Sequence, residues 1–327
     1  MWMVSKRRRP PNSNLTFSNN ESPEQQEGEK ASKPSRLPPL LQALRPKQWT
    51  KNGLLFAGFL FTINQPRDQV HAAIQALIGF VLFCLLSGCT YLINDLLDIE
   101  ADRQHPKKRK RPLAAGTLSV GAAKLTAAVG IPLALVAAFS LNLKFGLAAL
   151  TYTTLTLCYS LFLKHIVLVD VLALAVLFVI RAAAGAFAIQ VRVSEWLLMC
   201  TLLLALFLGL AKRRGELAAQ GATPSTRAIL AEYSLPMLDQ LITLIAACTV
   251  MAYTQYAFFS TGDGTGRRPY LMATIPFVLY GIFRYLYIVH KKGGGETPEA
   301  TLIEDKPMLL NVALFILVAA AAMWLSR

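Results

Sequence analysis

The chain alternates between long apolar runs and short polar connections over most of its length. Nine apolar segments follow a polar N-terminal stretch, at 53–64, 71–93, 120–141, 145–163, 166–189, 194–211, 236–259, 270–289 and 307–326. Because about 20 apolar residues suffice for a helix to cross a bilayer, these segments predict membrane-spanning helices. The first segment is short, and we expect it to begin earlier, as a half-buried helix from Leu40. The pattern predicts an all-α integral membrane protein, a bundle of about nine transmembrane helices.

A polar stretch precedes the apolar segments. Residues 1–39 are rich in Pro, Asn, Ser and Glu, and they lack the apolar run that a signal peptide requires. A stretch of this composition cannot bury enough apolar surface to fold by itself. We therefore expect a disordered cytoplasmic tail at 1–39 and a polytopic transmembrane domain at 40–327.

Composition excludes several other classes of protein. Hydrophobic residues make up 54% of the chain and charged residues only 16%, whereas a soluble domain carries about 25% charged residues. The five cysteines are odd in number and all lie in apolar segments, which argues against a disulfide scaffold or a zinc site. The net charge of +14 comes without a zinc-finger, helix-turn-helix or RNA-binding motif, so we expect no nucleic-acid partner.

The distribution of basic residues predicts the orientation in the membrane. With a cytoplasmic N-terminus, most of the 33 Lys and Arg residues fall on the cytoplasmic side of the nine segments and few fall in the outer loops. Cytoplasmic loops of membrane proteins carry such an excess. We therefore expect an integral protein of the cell membrane, with its N-terminus inside and its C-terminus outside.

The most informative residues follow the second apolar segment. Asn94, Asp98 and Asp102 are four residues apart, and Asp95 lies three residues before Asp98. In a helix this spacing places one amide and three carboxylates on one stripe. Hard oxygen ligands of this kind suit Mg²⁺, whose coordination is usually completed by water and substrate phosphates. We therefore predict that these four residues bind Mg²⁺ and that the three aspartates are catalytic.

A basic run follows the acidic stripe. Six Lys and Arg residues lie between positions 103 and 111. They would suit phosphate groups, although such a run by itself is more typical of a cytoplasmic loop behind a helix end. The carboxylate stripe is the stronger signal, because ionisable residues at the end of a membrane span cost free energy and are functional by default.

The pattern Asn-Asp-x-x-Asp-x-x-x-Asp at 94–102 resembles the first aspartate-rich motif of the UbiA-type prenyltransferase superfamily. This resemblance implies a UbiA-like helical bundle that is open to lipid and binds a diphosphate through Mg²⁺. The extension His-Pro-x-Lys-x-x-Arg-Pro-x-Ala-x-Gly at 105–116 is similar to the branch that includes decaprenyl-phosphate phosphoribosyltransferases. Further segments that resemble this branch are Arg-Pro-Lys-Gln-Trp-Thr-Lys-Asn at 45–52, Tyr-Ser-x-x-x-Lys at 159–164, Arg-Ala-x-Ala-Gly at 181–185 and Lys-Arg-x-Gly-Glu-Leu at 212–217.

The same resemblance covers 40–326, so it implies that the transmembrane domain at 40–327 is a transferase domain. It also implies a set of substrate-binding residues. They are Lys47, Lys51, Asn94, His105, Lys108, Arg111, Tyr159, Lys164, Arg181, Lys212, Arg213 and Glu216. Structural alternatives remain open for several of them. Lys164 could extend to the lipid headgroups or pair with Asp170, and His105 could cap the turn before Pro106. Arg181 lies near the middle of a span, where a charge is expensive, so we expect it in the site or its support.

The loop after the sixth segment departs from the wider superfamily. Aromatic prenyltransferases carry a second aspartate-rich motif there, whereas residues 211–217 contain one acid and three bases. This charge balance favours a donor with an additional phosphate, such as 5-phosphoribosyl diphosphate, and a polyprenyl phosphate as acceptor. The expected reaction is Mg²⁺-dependent transfer of 5-phosphoribose to the polyprenyl phosphate, with release of pyrophosphate.

Two other functions remain open from the sequence. One is an aromatic or tetrapyrrole prenyltransferase with a polyprenyl diphosphate donor, against which the absent second acidic motif counts. The other is a transporter, which is less favoured because the chain shows no internal repeat and no matching pair of broken helices. The sequence is compatible with a homo-oligomer within the lipid bilayer.

Overall fold

A computed structural model of the protein describes residues 37–62, 68–105, 108–219, 228–259, 269–291 and 304–325. Within these ranges the chain forms helices and no β-strand. Each of the nine predicted apolar segments overlaps a helix, which confirms the expected all-α membrane bundle. Of the tail predicted at 1–39, all but the last three residues lie outside the described ranges.

Eleven α-helices and five short 3₁₀ helices make up the described chain. The α-helices are α1 Pro39–Ala43, α2 Phe56–Thr62, α3 Gln69–Leu97, α4 Ile99–Gln104, α5 Val120–Leu141, α6 Leu143–Leu161, α7 Val169–Ala188, α8 Glu195–Ala219, α9 Leu235–Phe259, α10 Ile275–Lys291 and α11 Lys306–Leu325. The 3₁₀ helices are Pro46–Leu55, Lys108–Lys110, Leu163–His165, Ala228–Glu232 and Pro269–Thr274.

Six stretches of the described residues are long and apolar enough to cross a membrane. They are Gln69–Leu97, Val120–Leu141, Val169–Ala188, Glu195–Ala219, Leu235–Phe258 and Tyr270–Lys291. Large apolar side chains such as Val136, Leu244 and Leu317 are exposed on the outside of these helices and of α11. An apolar surface of this extent suits lipid and not water. The protein is therefore an integral membrane protein.

Polar side chains at the helix starts explain several of the boundaries. Asp68 accepts hydrogen bonds from the backbone N–H groups of Val70 and His71 at the beginning of α3. Ser119 does the same for α5, and Asn142 accepts from Phe145 at the beginning of α6. Each satisfies backbone donors that would otherwise lack a partner in the first turn.

The segment predicted as a short first span has a different shape from the continuous helix expected from Leu40. Arg45 has φ 53° and ψ 63° and is followed by Pro46, so the chain breaks between α1 and the 3₁₀ helix Pro46–Leu55. This 3₁₀ helix packs on α7, where a Cβ atom at Gly185 would lie only 2.0 Å from the carbonyl oxygen of Leu55. The lack of a side chain at Gly185 therefore allows the segment to lie directly against α7.

Two hydrophobic cores share α7. In the first, Phe83 of α3 packs against Phe145 and Tyr152 of α6, with ring centroids 5.6 and 5.1 Å apart. In the second, α7 packs with α8, α9 and α10, and Phe207 contacts Tyr285. Because Lys164 after α6 contacts Asp98 after α3, the polar end of α3 lies beside the end of α6 and the beginning of α7.

Candidate active site

The predicted acidic stripe lies where α3 passes into α4. Asp98 stands between the two helices, with φ −101° and ψ 12°. Helical hydrogen bonds continue across it, from the Asp98 N–H to the Asn94 carbonyl at 3.0 Å and from the Asp102 N–H to the Asp98 carbonyl at 2.8 Å. The backbone therefore keeps the predicted spacing, but the side chains divide between two groups of partners.

The first group, which we call the Asp95 cluster, contains Asp95, Asp102, Arg45, Lys108 and Arg111. Nη1 of Arg111 donates to Oδ1 of Asp95 at 3.1 Å and to Oδ2 of Asp102 at 2.5 Å. Arg45 donates to the same Asp95 oxygen, and Nζ of Lys108 lies 3.9 Å from Asp102. Both carboxylates are buried. Buried carboxylates require partners of this kind, because an unpaired buried charge is strongly destabilising.

The second group, which we call the Asp98 cluster, contains Asn94, Asp98 and Lys164. Nζ of Lys164 lies 3.0 and 3.3 Å from the two oxygens of Asp98. The side-chain amide of Asn94 donates to Asp98 at 3.1 Å. Lys164 therefore binds the acidic stripe, instead of extending to the headgroups or pairing with Asp170.

Arg45 was not among the predicted substrate-binding residues, although it begins the segment 45–52. Its left-handed backbone is strained for a side chain with a Cβ atom, and this conformation directs the guanidinium group to Asp95. The guanidinium carbon lies 4.8 Å from the centre of the Tyr91 ring, a cation–π contact. Of the two lysines predicted instead, Lys47 is exposed and Lys51 is half-buried in the 3₁₀ helix Pro46–Leu55.

His105 has a local structural role. Its Nδ1 atom accepts a hydrogen bond from the Lys108 backbone N–H at 3.3 Å. This bond connects His105 to the segment that contains Arg111, and substrate binding by His105 stays a prediction. The intervening residues 106 and 107 lie outside the described ranges.

A third polar group, the Arg213 cluster, links α7, α8 and the chain before α9. Nε of Arg213 donates to Asp170 and Nη1 donates to Glu216, each at 2.8 Å. The Tyr233 hydroxyl donates to Asp170 at 2.8 Å and accepts from the Leu168 backbone N–H at 2.7 Å. Burial and the hydrogen bond to Asp170 raise the pKa of Tyr233 to about 12, which keeps its hydroxyl protonated as a donor.

The burial of this cluster bears on the predicted role of Arg213 and Glu216. Asp170 is 0% and Arg213 2% exposed, and their ion pair spans 43 residues of sequence. Asp170 therefore pairs with Arg213, and not with Lys164 or Arg181. The neighbouring Lys212 is half-buried, as is Tyr159 at the end of α6. Substrate binding by Lys212, Arg213, Glu216 and Tyr159 stays a prediction.

Arg181 lies deeper in the bundle, since it follows Asp170 in α7 by 11 residues, or about 16 Å of helix. Its guanidinium group donates to the Asn52 side chain at 2.9 Å and to the Tyr152 hydroxyl at 2.7 Å. Asn52 in turn donates to Ser87 at 3.1 Å and to Cys84 at 3.3 Å. These bonds attach the 3₁₀ helix Pro46–Leu55 to α3, α6 and α7, so Arg181 supports the segment that carries Arg45.

The donor set of the first two clusters fits Mg²⁺ in part. Asp95 and Asp102 approach the same guanidinium nitrogen, so two hard carboxylate ligands are held close together. In the part of the chain that the structure describes, no group of three or more His, Cys, Asp or Glu side chains converges. A Mg²⁺ ion bound here would therefore take further oxygens from water and from a substrate, as is usual for this ion.

Comparison with known proteins identifies the family. Residues 54–311 match the UbiA prenyltransferase family. A decaprenyl-phosphate phosphoribosyltransferase of Corynebacterium glutamicum is 34% identical over 286 residues, 86% of each chain. The enzyme of the same name from Mycobacterium tuberculosis is 32% identical over 86% of this chain and 93% of its own.

Solved structures show the same fold. A UbiA homolog from Archaeoglobus fulgidus bound to GPP and Mg²⁺ has a TM-score of 0.66 at 22% identity, covering 87% of this chain and 99% of that chain. A digeranylgeranylglyceryl phosphate synthase has a TM-score of 0.62 at 18% identity, covering 87% of this chain and 97% of its own. The family match spans most of the chain, and the named relatives are transferases. The protein is an enzyme, a membrane-embedded transferase that belongs to the UbiA prenyltransferase family.

Proposed function

We propose that the enzyme transfers 5-phosphoribose from 5-phosphoribosyl diphosphate to a polyprenyl phosphate of the decaprenyl phosphate type, in a Mg²⁺-dependent reaction that releases pyrophosphate. The observation that carries this proposal is the similarity to decaprenyl-phosphate phosphoribosyltransferases, at 34% identity over 86% of both chains. Neighbours that bind prenyl diphosphates share the fold at only 22% identity.

The charges of the Asp95 and Asp98 clusters support a substrate with several phosphates. Three carboxylates are contacted there by four cationic side chains, Arg45, Lys108, Arg111 and Lys164. Asp95 and Asp102, which approach the same guanidinium nitrogen, would hold Mg²⁺. The predicted ligands Asn94 and Asp98 would join them only if their bonds to each other and to Lys164 open. Mg²⁺ bound at these residues would neutralise the charge that develops on the departing diphosphate.

The remaining chemistry requires positioning and little proton transfer. An oxygen of the lipid phosphate attacks C1 of the ribose, the bond from C1 to the diphosphate oxygen breaks, and pyrophosphate leaves. C1 passes through an oxocarbenium-like state, as in other glycosyl transfers. Because the acceptor is already an anion, no general base has to remove a proton. Arg111 and Lys164 are placed to hold phosphate oxygens, since Arg and Lys are common phosphate-binding residues.

The alternative is an aromatic or tetrapyrrole prenyltransferase with a polyprenyl diphosphate donor. The solved structure with GPP and Mg²⁺ supports diphosphate binding by this fold. Against this alternative, the single acid at the end of α8, Glu216, is engaged by Arg213. A second acidic metal site at this place would require Glu216 to leave that pair, so the phosphoribosyl donor is favoured.

We also propose that the enzyme lies in the cell membrane with its N-terminus and active site on the cytoplasmic side. The basic run at 103–111 and the Arg213 cluster lie at the ends of α3 and α8, where the excess of positive charge indicates the cytoplasm. A polar donor reaches this side from water, and the polyprenyl chain of the acceptor stays in the bilayer.

The test is a comparison of donors with the purified full chain in detergent. Radiolabelled 5-phosphoribosyl diphosphate is offered with decaprenyl phosphate, and radiolabelled geranyl diphosphate is offered with aromatic acceptors. We expect label in the organic phase from the first donor only, and only with Mg²⁺. Label transferred from the prenyl diphosphate instead would contradict the proposal.

Matched carboxylate variants connect this activity to the site. Asp95→Asn and Asp98→Asn remove an anionic ligand at nearly constant volume, so we expect turnover to be lost while the protein still inserts and extracts normally. Glu100→Gln is the control, because Glu100 lies in α4 between the two groups with 81% of its side chain exposed. Full activity of Asp95→Asn or Asp98→Asn would remove the metal assignment.

A further inference from the structure

The carboxylates assigned to the cation already have cationic partners from the protein itself. Asp95 and Asp102 share Nη1 of Arg111, and Asp95 also binds Arg45. Asp98 binds Lys164 through both of its oxygens. A divalent cation can take these oxygens only if the guanidinium and ammonium groups give them up.

The charge balance sets a second condition. Four cationic side chains face three carboxylates in these clusters, and the carboxylates of Asp95 and Asp102 are buried. A divalent cation alone would add two positive charges to a site that already carries one more positive than negative charge. A diphosphate alone would compete with the carboxylates for the same arginines. When the two enter together, their charges largely cancel, and each protein group has a new partner.

The exposure of the arginines shows which side chains can move. The side chains of Arg45 and Arg111 are 23% and 26% exposed, and Arg111 follows directly after the short 3₁₀ helix Lys108–Lys110. Arg213, by contrast, is 2% exposed and held by two carboxylates. The planar guanidinium group binds phosphate oxygens as well as carboxylate oxygens. Arg45 and Arg111 can therefore exchange a carboxylate partner for a phosphate partner.

We propose that Arg111, assisted by Arg45, exchanges partners when substrate binds. It leaves Asp95 and Asp102 to the divalent cation and takes the oxygens of the diphosphate. The cation and the diphosphate therefore bind as a coupled pair, and neither binds tightly without the other. This inference rests on the proposed Mg²⁺-dependent diphosphate chemistry, and it makes Arg111 the residue that couples the two ligands.

The test measures binding, with Mn²⁺ as the probe for Mg²⁺ and inorganic pyrophosphate as the probe for the diphosphate. The full chain in detergent is immobilised on scintillation beads, so only protein-bound radioactive Mn²⁺ or radiolabelled pyrophosphate is counted. For the unmodified protein we expect saturating pyrophosphate to tighten Mn²⁺ binding by at least about tenfold, the effect of one charged hydrogen bond. Mn²⁺ should tighten pyrophosphate binding by the same factor, because coupling between two ligands is reciprocal.

The decisive variant is Arg111→Gln, for which the two affinities should change in opposite directions. Mn²⁺ alone should bind at least about tenfold more tightly, because Asp95 and Asp102 lose their shared cation. Pyrophosphate in the presence of Mn²⁺ should bind more weakly. Arg103→Gln is the matched control, since it removes the same charge from the same basic segment. Arg103 pairs only with the exposed Glu100 among the described ion pairs, and both affinities should stay unchanged.

Two results would overturn the inference. One is tight Mn²⁺ binding to the unmodified protein that pyrophosphate does not improve. The other is an Arg111→Gln variant that binds both ligands more weakly while its unfolding temperature is normal.

If Arg111→Gln unfolds, Arg45→Gln replaces it in the test. The two affinities should change in the same directions but by less, because Arg45 contacts only Asp95 of the two carboxylates. Loss of coupling with intact phosphoribosyl transfer would reject this inference alone, whereas coupling without such transfer would reject the proposed donor alone.

Discussion

Substitution of Arg213 distinguishes between two roles for this residue: the substrate binding that the sequence predicts and the structural ion pair that the structure indicates. The sequence predicts that Arg213 binds substrate, and the basic loop that contains it favours a donor with an additional phosphate, so Arg213 is the residue expected to bind that phosphate. In the structure its guanidinium group is bonded to Asp170 and Glu216 at 2.8 Å each, and Arg213 is 2% exposed. The structure therefore predicts that Arg213→Met changes stability first and substrate affinity only through the fold.

The magnitude follows from the partners that remain. Arg213→Met leaves Asp170, 0% exposed, with the Tyr233 hydroxyl as its remaining side-chain hydrogen bond. Removing one member of a buried ion pair costs about 3–5 kcal/mol. Asp170→Asn should cost less, about 1.5–3 kcal/mol for a lost charged hydrogen bond, because Arg213 keeps Glu216. The double variant Arg213→Met with Asp170→Leu should recover most of the loss, because it leaves neither charge of that pair.

The assay is reversible unfolding of the purified protein in mixed micelles, with the free energy of unfolding measured for each variant. Arg192→Met serves as the control, since Arg192 and its partner Glu195 are 88% and 89% exposed at the other end of α8. Such an exposed pair contributes little to stability, so the control should unfold like the unmodified protein. Donor and acceptor KM are then measured on the folded fraction of each variant.

A specific pattern would refute this reasoning. In that pattern the free energy of unfolding of Arg213→Met equals that of the unmodified protein. The donor KM is raised by about ten- to a hundredfold, which is the effect of one charged hydrogen bond, and the acceptor KM is unchanged. That pattern would show that Arg213 binds the donor phosphate directly, as the sequence predicts, and that its ion pair with Asp170 opens in the working enzyme.

Three further predictions concern packing, the tail and the topology. Gly185→Ala should cost about 3 kcal/mol of unfolding free energy, because the new Cβ atom would lie 2.0 Å from the Leu55 carbonyl oxygen. The control is Gly121→Ala, which should be neutral or slightly stabilising in the same unfolding assay because a Cβ atom there would meet nothing within 4 Å. Deletion of residues 1–35 should leave activity in detergent largely intact, and loss of turnover in a folded truncated protein would place the tail in the site. Alkaline phosphatase fused after Arg327 should be active in cells, and an inactive but full-length fusion would contradict the outside C-terminus.

Much of the architecture could be predicted from the sequence, because membrane insertion depends on local composition. A run of apolar residues must form a helix in the bilayer to satisfy its own backbone hydrogen bonds. The predicted segment 120–141 therefore coincides with α5, and 236–259 agrees with α9 to within one residue. The acidic motif was also visible, because its spacing is local and its carboxylates are costly at the end of a span.

The tertiary structure decided which cation meets which carboxylate. Spacing alone placed Asp95, Asp98 and Asp102 on one stripe, but Lys164 takes Asp98, and Arg45 and Arg111 take Asp95. Lys164 comes from 66 residues away along the chain. Ion pairs over such distances depend on how helices pack, which no local pattern of residues determines.

The same reason explains why the partners of Arg45 and Asn52 are visible only in the folded chain. Arg45 reaches Asp95 because its backbone is left-handed, and Asn52 reaches Arg181 because Gly185 lets the 3₁₀ helix approach α7. By itself, the sequence determined the helices, the membrane and the acidic motif, since each rests on short-range hydrophobic or helical periodicity. Close packing of α3, α6 and α7 decided the ion pairs, because buried charges accept only the partners that packing brings within hydrogen-bond distance.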